Sequence, residues 1–304
     1  MQWASSNSKS WKPKYYLALI YWSRNNLTKA AELFDACGDE PDYAPFYAAR
    51  AELRKKAAPE KSFADLQRAA QLDPKQWRFG KLLTEHNIEA NQPAQALQTV
   101  RTYYAQAPEN YQIGMLLAKT LLLNQQYKLT SELLAKLTIL PYEGATDGRR
   151  LYRETQLMLA LEQMKAKNYG DAIPFLQAAK RWPENLGVGK PYQEDIDERL
   201  EDWLLADCYN KLGRARRATE ARQRIIAFKA RGNSVGTLVT ALALRKLGRT
   251  GEAETIINNW LQPAPTNPLA LWAQNYFFKG QSSPLNVTPN DEQFRVLREW
   301  ITFN

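Results

Sequence analysis

A small residue recurs along the chain at the start of a short aliphatic run, and its spacing constrains the fold more than any other feature. Typical copies are Ala30-Ala31-Glu32-Leu33-Phe34 and Ala172-Ile173-Pro174-Phe175-Leu176. The small residues stand at Ala30, Ser62, Ala96, Thr130, Ala172, Ala218 and Ala253, which are 32, 34, 34, 42, 46 and 35 residues apart. A period near 34 predicts stacked helix–turn–helix units, because a single unit cannot bury its own apolar stripe.

Three other features repeat in the same register. Small residues where a first helix would meet its neighbour are Ala18, Ala118, Ala160, Ala206 and Ala241. Gly213 and Gly248 fall at turns between paired helices, with Asn25, Asn91 and Gln125 at comparable turns. Proline cannot continue a helix, so prolines are expected to close the units. These are Pro41, Pro74, Pro108, Pro141, Pro183 and Pro265. Small residues allow close helix packing, so these features agree on paired helices.

In period and in these positions the chain resembles the tetratricopeptide-repeat family. The resemblance implies an all-α fold, a tetratricopeptide-like right-handed helical solenoid. We expect one single solenoid over residues 1–304, with about seven and a half repeats in 12–280. An amphipathic segment at 290–302 is expected to form a capping helix that covers the last exposed stripe.

Composition limits the class of protein. The 304 residues carry a net charge of +9, which favours anionic partners. Neither a signal-peptide pattern nor an apolar run long enough to cross a bilayer is present, so a cytoplasmic chain without membrane contact is expected. Cys37 and Cys208 lie far apart in the repeat order and are expected to be buried free thiols.

The sequence offers little for catalysis. His86 is the single histidine, and zinc-ligand spacing is missing with only two separated cysteines. No nucleophile elbow accompanies His86, so a Ser/His/Asp triad is not indicated. We therefore expect no catalytic residues, no metal site, no cofactor and a chain that is not an enzyme.

The two long intervals, of 42 and 46 residues, indicate insertions at 142–148 and 182–198. Insertions in repeat arrays form loops on one face, often the binding face. Both flank the same unit and are expected to lie near each other. The candidate binding residues of the second loop are Gly187, Gly189, Lys190 and Tyr192.

Two other interpretations of this loop are weaker. Pro191 stands where a phosphate-binding loop needs Ser or Thr, and the earlier glycine is missing. Acidic residues at 194–198 invite a metal site, but they precede the helix that leads to Trp203, where negative charge favours the helix start.

The stretch from Arg149 through Pro191 to Trp203 carries a second resemblance. It is similar to the helical C-terminal region of a large uncharacterised bacterial family, in which a galactose-mutarotase-like β-sandwich precedes the repeats. This resemblance implies that the chain could be an accessory module of a carbohydrate-associated protein, with an attached β-sandwich domain as partner.

Tetratricopeptide arrays line a concave groove with first-helix residues. Carried over to this register, the resemblance nominates as partner-binding residues Tyr15, Trp22, Tyr47, Arg54, Arg78, Lys81, Lys119, Trp203, Asp207, Asn210 and Arg245. Aromatic residues and arginine are frequent interface anchors. Alternatively, Trp22 and Trp203 pack against neighbouring repeats.

The favoured function is a non-catalytic scaffold that binds a protein or peptide of unknown identity in the groove. Nucleic-acid binding is a rival, because a basic stretch at 214–231 could replace phosphate counterions. Glu220 and the lack of interleaved aromatics make nucleic acid the weaker partner.

Overall fold

The computed structural model describes residues 10–141, 146–263, 265–280 and 291–304, and these residues contain helices but no strand. Their contacts divide the chain into two compact units, Met1–Gln125 and Gln126–Asn304. The expectation of one continuous solenoid over 1–304 stays a prediction, and each unit is described by itself.

Unit 1 contains the helices α1 (Trp11–Ser23), α2 (Leu27–Asp35), α3 (Ala44–Arg54), α4 (Pro59–Leu72), α5 (Trp77–Glu89), α6 (Pro93–Gln106) and α7 (Tyr111–Leu123). Unit 2 contains α8 (Tyr127–Lys136), α9 (Asp147–Lys165), α10 (Tyr169–Ala179), α11 (Arg199–Lys211), α12 (Ala215–Ala227), α13 (Val235–Lys246), α14 (Thr250–Leu261), α15 (Pro268–Lys279) and α16 (Glu292–Phe303). Within each unit a helix packs on the next helix of the chain up to α15. Some first helices also contact the following first helix, as α5 does α7 and α11 does α13.

The small residues that define the repeat are buried in both units. All seven markers from Ala30 to Ala253 are inaccessible or nearly so, and so are the first-helix residues from Ala18 to Ala241. Where the marker is polar, a backbone carbonyl satisfies it, since Ser62 donates a hydrogen bond to the Ala51 carbonyl at 2.8 Å. The predicted register of paired helices is therefore confirmed.

The turn inside most pairs has one conformation. Asn25, Asn91, Lys167, Gly213 and Gly248 all have positive φ. The following amide donates back to the carbonyl five residues earlier, as Asn26 does to Tyr21 and Arg214 does to Tyr209. These bonds form the Schellman motif, which satisfies carbonyls at a helix end and directs the chain into an antiparallel partner.

The two insertions meet in unit 2. The Asn185 side chain donates to the carbonyls of Leu134 and Leu137 at 2.9 and 2.8 Å, and the Ile139 amide donates to the Asn185 carbonyl. These bonds hold the second insertion against the segment before the first one. A Cβ on Gly148, the last residue of the first insertion, would lie 2.8 Å from the Leu186 carbonyl oxygen, so the two insertions lie near each other as expected. The described part of the first one also lengthens α9, which begins at Asp147, whereas residues 142–145 lie outside the described residues.

The C-terminal helix does not follow the pattern of the earlier pairs. α16 begins after the connection 280–291 and packs on α9 and α13. Its Phe294 also meets Trp272 of α15, with ring centroids 4.9 Å apart. The sequence predicted a cap on the last exposed stripe. The helix exists and contacts the last helix pair through Trp272, but it packs mainly on the first helices α9 and α13, deeper in unit 2.

Candidate functional site

Each first helix presents a row of side chains beside its buried small residue. We define the first-helix face of a pair as the residues six before, three before and one after that small residue. In unit 1 the face consists of Lys12, Tyr15, Leu19, Pro45, Ala48, Glu52, Arg78, Lys81, Glu85, Gln112, Met115 and Lys119. In unit 2 the first helices α9, α11 and α13 supply Glu154, Leu157, Leu161, Leu200, Trp203, Asp207, Val235, Leu238 and Leu242.

Three nominated cations lie on the face of unit 1. Arg78 and Lys119 are exposed, and Lys81 is half-buried. The Arg78 guanidinium stacks on Trp77 at 4.6 Å, and the Lys81 ammonium lies 3.8 Å from the Glu85 carboxylate. Such partners leave the cationic groups close to solvent, where they can meet an anionic ligand.

Tyr15 and Trp22 belong to the core at the start of unit 1. Tyr15 lies among aromatic rings, with Phe34 and Phe46 both 5.9 Å away between centroids. Its burial raises the pKa of the Tyr15 hydroxyl. Trp22 is half-buried, with its ring edge-on to Phe34 at 6.4 Å. Trp22 therefore packs inside unit 1, in line with the alternative to partner binding. The exposed apolar residues of α1 are Tyr16 and Ile20.

Tyr47 and Arg54 lie off the face, contrary to their nomination. The small residue of α3 is Ala51, whose carbonyl accepts the hydrogen bond from Ser62, and it lies eleven residues before that marker. In the other pairs this interval is twelve residues, as between Ala18 and Ala30, so the register of α3 shifts by one. Tyr47 is buried and donates its hydroxyl hydrogen to the Asp39 carbonyl. Arg54 pairs with Asp35 and Asp65 of the second helices. Both residues thus stabilise unit 1 internally.

In unit 2 the same face is occupied by α16. Leu157, Leu200 and Leu238 are buried in one core with Phe294 and Leu297. These leucines stand at face positions that are half-exposed or exposed in most of unit 1. The helix thus covers a surface that the repeat fold alone would leave open to a ligand.

The nominated Trp203 and Asp207 both hold α16. Trp203 meets Trp300 edge-on at 5.5 Å and is only 5% exposed. Asp207 accepts hydrogen bonds from the Trp300 indole at 3.2 Å and from the Asn304 amide at 2.9 Å. Two residues nominated to bind a partner therefore bind a segment of the same chain.

Charges fix the other end of α16. Arg295 forms two hydrogen bonds of 2.7 Å with the Glu154 carboxylate. Glu292 lies 3.7 Å from Arg153, whose guanidinium forms two 2.6 Å bonds with the buried Glu201. Burial alone would lower the pKa of Arg153, but the Glu201 carboxylate outweighs it and raises that pKa. The pairs specify the direction and register of α16 as well as its burial.

The remaining nominated helix residues lie near the end of this face. Asn210 is exposed. Arg245 donates a 2.7 Å hydrogen bond to the Phe277 carbonyl, and its guanidinium lies 4.6 Å from the Phe277 ring. Arg245 thus joins α13 to α15.

The four loop residues differ in their roles. Gly187 is buried with φ of +67°, and a Cβ there would come within 2.8 Å of the Ile139 carbonyl oxygen. Its lack of a side chain therefore allows the second insertion to pack on the segment that precedes the first one. Gly189, Lys190 and Tyr192 are exposed, Tyr192 by 79%. These three remain candidates for a partner contact.

Three acidic residues of the second insertion are paired with cations. Asp195 pairs with Arg231, Glu198 with Lys180, and Asp197 with Arg199. Burial would raise the pKa of Asp197, but the hydrogen bonds and charge of Arg199 lower it. Among the described residues, His, Cys, Asp and Glu form no group that could hold a metal ion. The three paired carboxylates are thus counterions.

The basic stretch of α12 is partly neutralised. Arg224 pairs with Asp202, Arg216 with Glu220 and Arg231 with Asp195. Since these pairs reduce the charge available to phosphate, they weaken the nucleic-acid alternative.

Sequence reasoning missed α16 as the occupant of the face in unit 2. A signal was present, because Leu157, Leu200, Trp203 and Leu238 are large apolar residues at positions that a bare groove would expose to water. Such residues require a cover. Which segment covers them depends on tertiary contacts between distant parts of the chain, as the pair Glu154–Arg295 illustrates.

Comparisons with known proteins bear on the fold. A tetratricopeptide-repeat protein from Parabacteroides merdae superposes with a TM-score of 0.51 at 10% identity, over 88% of this chain and 98% of that one. Yeast Tom70 gives a TM-score of 0.44 at 14% identity, over 91% and 56% of the two chains. PilF of Pseudomonas aeruginosa gives 0.41 at 15% identity, over 78% and 96%.

No family model and no curated protein matches the chain. The resemblance to the bacterial family with a galactose-mutarotase-like domain therefore has no support here and stays a prediction. No helix among the described residues combines the length and apolar character needed to cross a bilayer. At such low identity the structural likeness shows the fold alone: the chain has an all-α fold of stacked helix pairs, that of a tetratricopeptide-like helical solenoid.

Proposed function

We propose that the chain is a non-catalytic protein-interaction scaffold, which binds a peptide or protein segment along first-helix faces. One observation carries the proposal: the face of unit 2 holds a polypeptide helix by apolar burial together with directed ion pairs. A surface that binds one helix in this way has the chemistry of a protein interface, with an apolar centre and satisfied charges.

The face of unit 1 is the proposed site for a partner from outside. It combines the cations Arg78, Lys81 and Lys119 with the small Ala48, and Tyr16 and Ile20 stand beside it on α1. Tyr16 is 61% exposed, a large value for an aromatic side chain. An extended or helical segment that carries both acidic and apolar residues would match these groups.

Contacts with an attached β-sandwich domain would be a special case of the same function, since such a domain presents a protein surface. The cytoplasmic location remains a prediction from the sequence. Nucleic-acid binding is not proposed, because acidic partners already engage several arginines of its candidate surface.

Selection from a displayed random-peptide library tests the proposal on the full chain. We expect the wild-type chain to enrich acidic, apolar-containing peptides, and the double variant Arg78→Glu/Lys119→Glu to lose that enrichment at least tenfold. The control is Lys61→Glu/Lys75→Glu, which changes the same charge at exposed positions of unit 1 away from the face. Failure to enrich any peptide, or equal loss in the control, would contradict the proposed site.

A further inference from the structure

The face of unit 2 recognises α16 through a defined pattern of side chains. Phe294 and Leu297 enter the core, and Trp300 engages both Trp203 and Asp207. Glu292 and Arg295 then meet groups of opposite charge on α9. The apolar and charged contacts alternate along the helix, so a helix with another pattern would leave buried charges without partners.

The attachment of α16 differs from that of the second helix in each earlier pair. Turns inside the earlier pairs span three or four residues, such as 24–26 and 55–58, whereas residues 280–291 separate α15 from α16. The position of α16 is therefore set by its contacts on α9, α11 and α13 rather than by a tight turn. A tethered segment of this kind competes at a high effective concentration with any ligand for the same surface.

The fit of α16 is incomplete in one respect. The indole nitrogens of Trp203 and Trp272 are buried without a hydrogen-bond partner. Both rings are in contact with aromatic rings of α16, Trp300 and Phe294. Buried indole N–H groups ordinarily have an acceptor, and each unpaired polar group costs about 1–3 kcal/mol. A helix that supplied acceptors here would therefore bind more tightly than α16.

We propose that the face formed by α9, α11 and α13 is a docking site for an amphipathic helix of a partner protein, and that α16 is a displaceable competitor held in the same site. The partner helix would carry the α16 pattern of Glu, Phe-Arg, Leu and Trp at the spacing of 292, 294–295, 297 and 300. This inference rests on the proposed function, but it concerns unit 2, whereas the peptide selection above tests unit 1.

A fluorescent peptide of residues 291–304 provides the probe, and fluorescence anisotropy measures its binding to full chains. The wild-type chain is expected to bind weakly, because α16 occupies the site. The substitution Trp300→Ala weakens the contacts that hold α16 in the site. The Trp300→Ala chain should therefore bind the peptide at least tenfold more tightly than the wild-type chain. If Trp300→Ala disturbs folding, the Arg295→Glu chain takes its place, since it is altered at a less buried residue. It should also bind the peptide more tightly than the wild-type chain does.

A charge exchange identifies the site. In the Trp300→Ala chain, Glu154→Arg should abolish binding of the wild-type peptide, and a peptide with Arg295→Glu should restore it. Iodoacetamide protection of the buried Cys208 reports that unit 2 remains folded.

Three outcomes would overturn the inference. The first is that no opened chain binds the peptide while Cys208 stays protected. The second is equal affinity for the wild-type and opened chains. The third is a wild-type chain that sediments as a dimer at micromolar concentration, since a second copy would then be the occupant in place of a partner protein.

Discussion

Units 1 and 2 use the same helix-pair register but place different residues on their first-helix faces. On α5 the face carries Arg78, Lys81 and Glu85, whereas on α13 the equivalent positions carry Val235, Leu238 and Leu242. The α13 residues are buried, and those of α5 are half-buried or exposed. The repeat fold thus determines where the face lies, and its side chains determine whether the chain itself must cover it.

The difference also separates structural ion pairs from surface ones. Glu201 of unit 2 lies fully buried against Arg153, while Glu85 of unit 1 makes a 3.8 Å pair with Lys81 near solvent. Removing a buried partner leaves an uncompensated charge, but an exposed pair contributes little because water screens it.

Each unit holds one buried free thiol, Cys37 in unit 1 and Cys208 in unit 2, so labelling of these thiols can follow the two units separately.

The largest expected effect is that of Glu201→Gln. The change leaves the buried Arg153 without its main counterion and should lower the free energy of unfolding of unit 2 by about 3–5 kcal/mol. The control Glu85→Gln should change unit 1 by less than about 1 kcal/mol. Iodoacetamide labelling of Cys208 and Cys37 at increasing urea concentration measures the stability of the two units. Burial raises the pKa of both thiols, that of Cys208 to about 12, so they stay unreactive until the structure opens. Equal acceleration of both thiols would show that the units unfold together, which would break the comparison.

A second pair of substitutions compares one register position in the two units. Leu238→Ala removes a fully buried side chain and should cost unit 2 about 2–5 kcal/mol. Lys81→Ala alters the equivalent position of α5 and should stay within about 0.5 kcal/mol. Urea midpoints from the same thiol labelling measure the two changes. A small effect of Leu238→Ala would mean that α16 does not seal the face as described.

The sequence predicted the repeat register well because local rules fix it. Buried small residues, prolines after second helices and turn residues such as Gly213 identify paired helices without knowledge of distant contacts. Tyr47 and Arg54 lie off the face because Ala51 stands eleven residues before Ser62, one fewer than the twelve residues between the corresponding positions of the other pairs. The placement of α16 was missed because it depends on pairs such as Glu154–Arg295, which are remote in sequence.

The turns offer the smallest effect and the finest test of the comparison. Lys167 of unit 2 and Asn25 of unit 1 occupy the same left-handed turn position, with φ of +62° and +58°. A left-handed conformation costs most residues about 1–2 kcal/mol, but asparagine tolerates it and glycine adopts it freely. After the entropy that glycine loses on folding, Lys167→Gly should stabilise unit 2 by about 0.5–1 kcal/mol, whereas Asn25→Gly should leave unit 1 nearly unchanged. Slower labelling of Cys208 in the first variant, with no change of Cys37 in the second, would show that the two units share a turn geometry and differ in how well their residues suit it. A loss of stability in Lys167→Gly would mean instead that the lysine side chain makes a compensating contact at this turn.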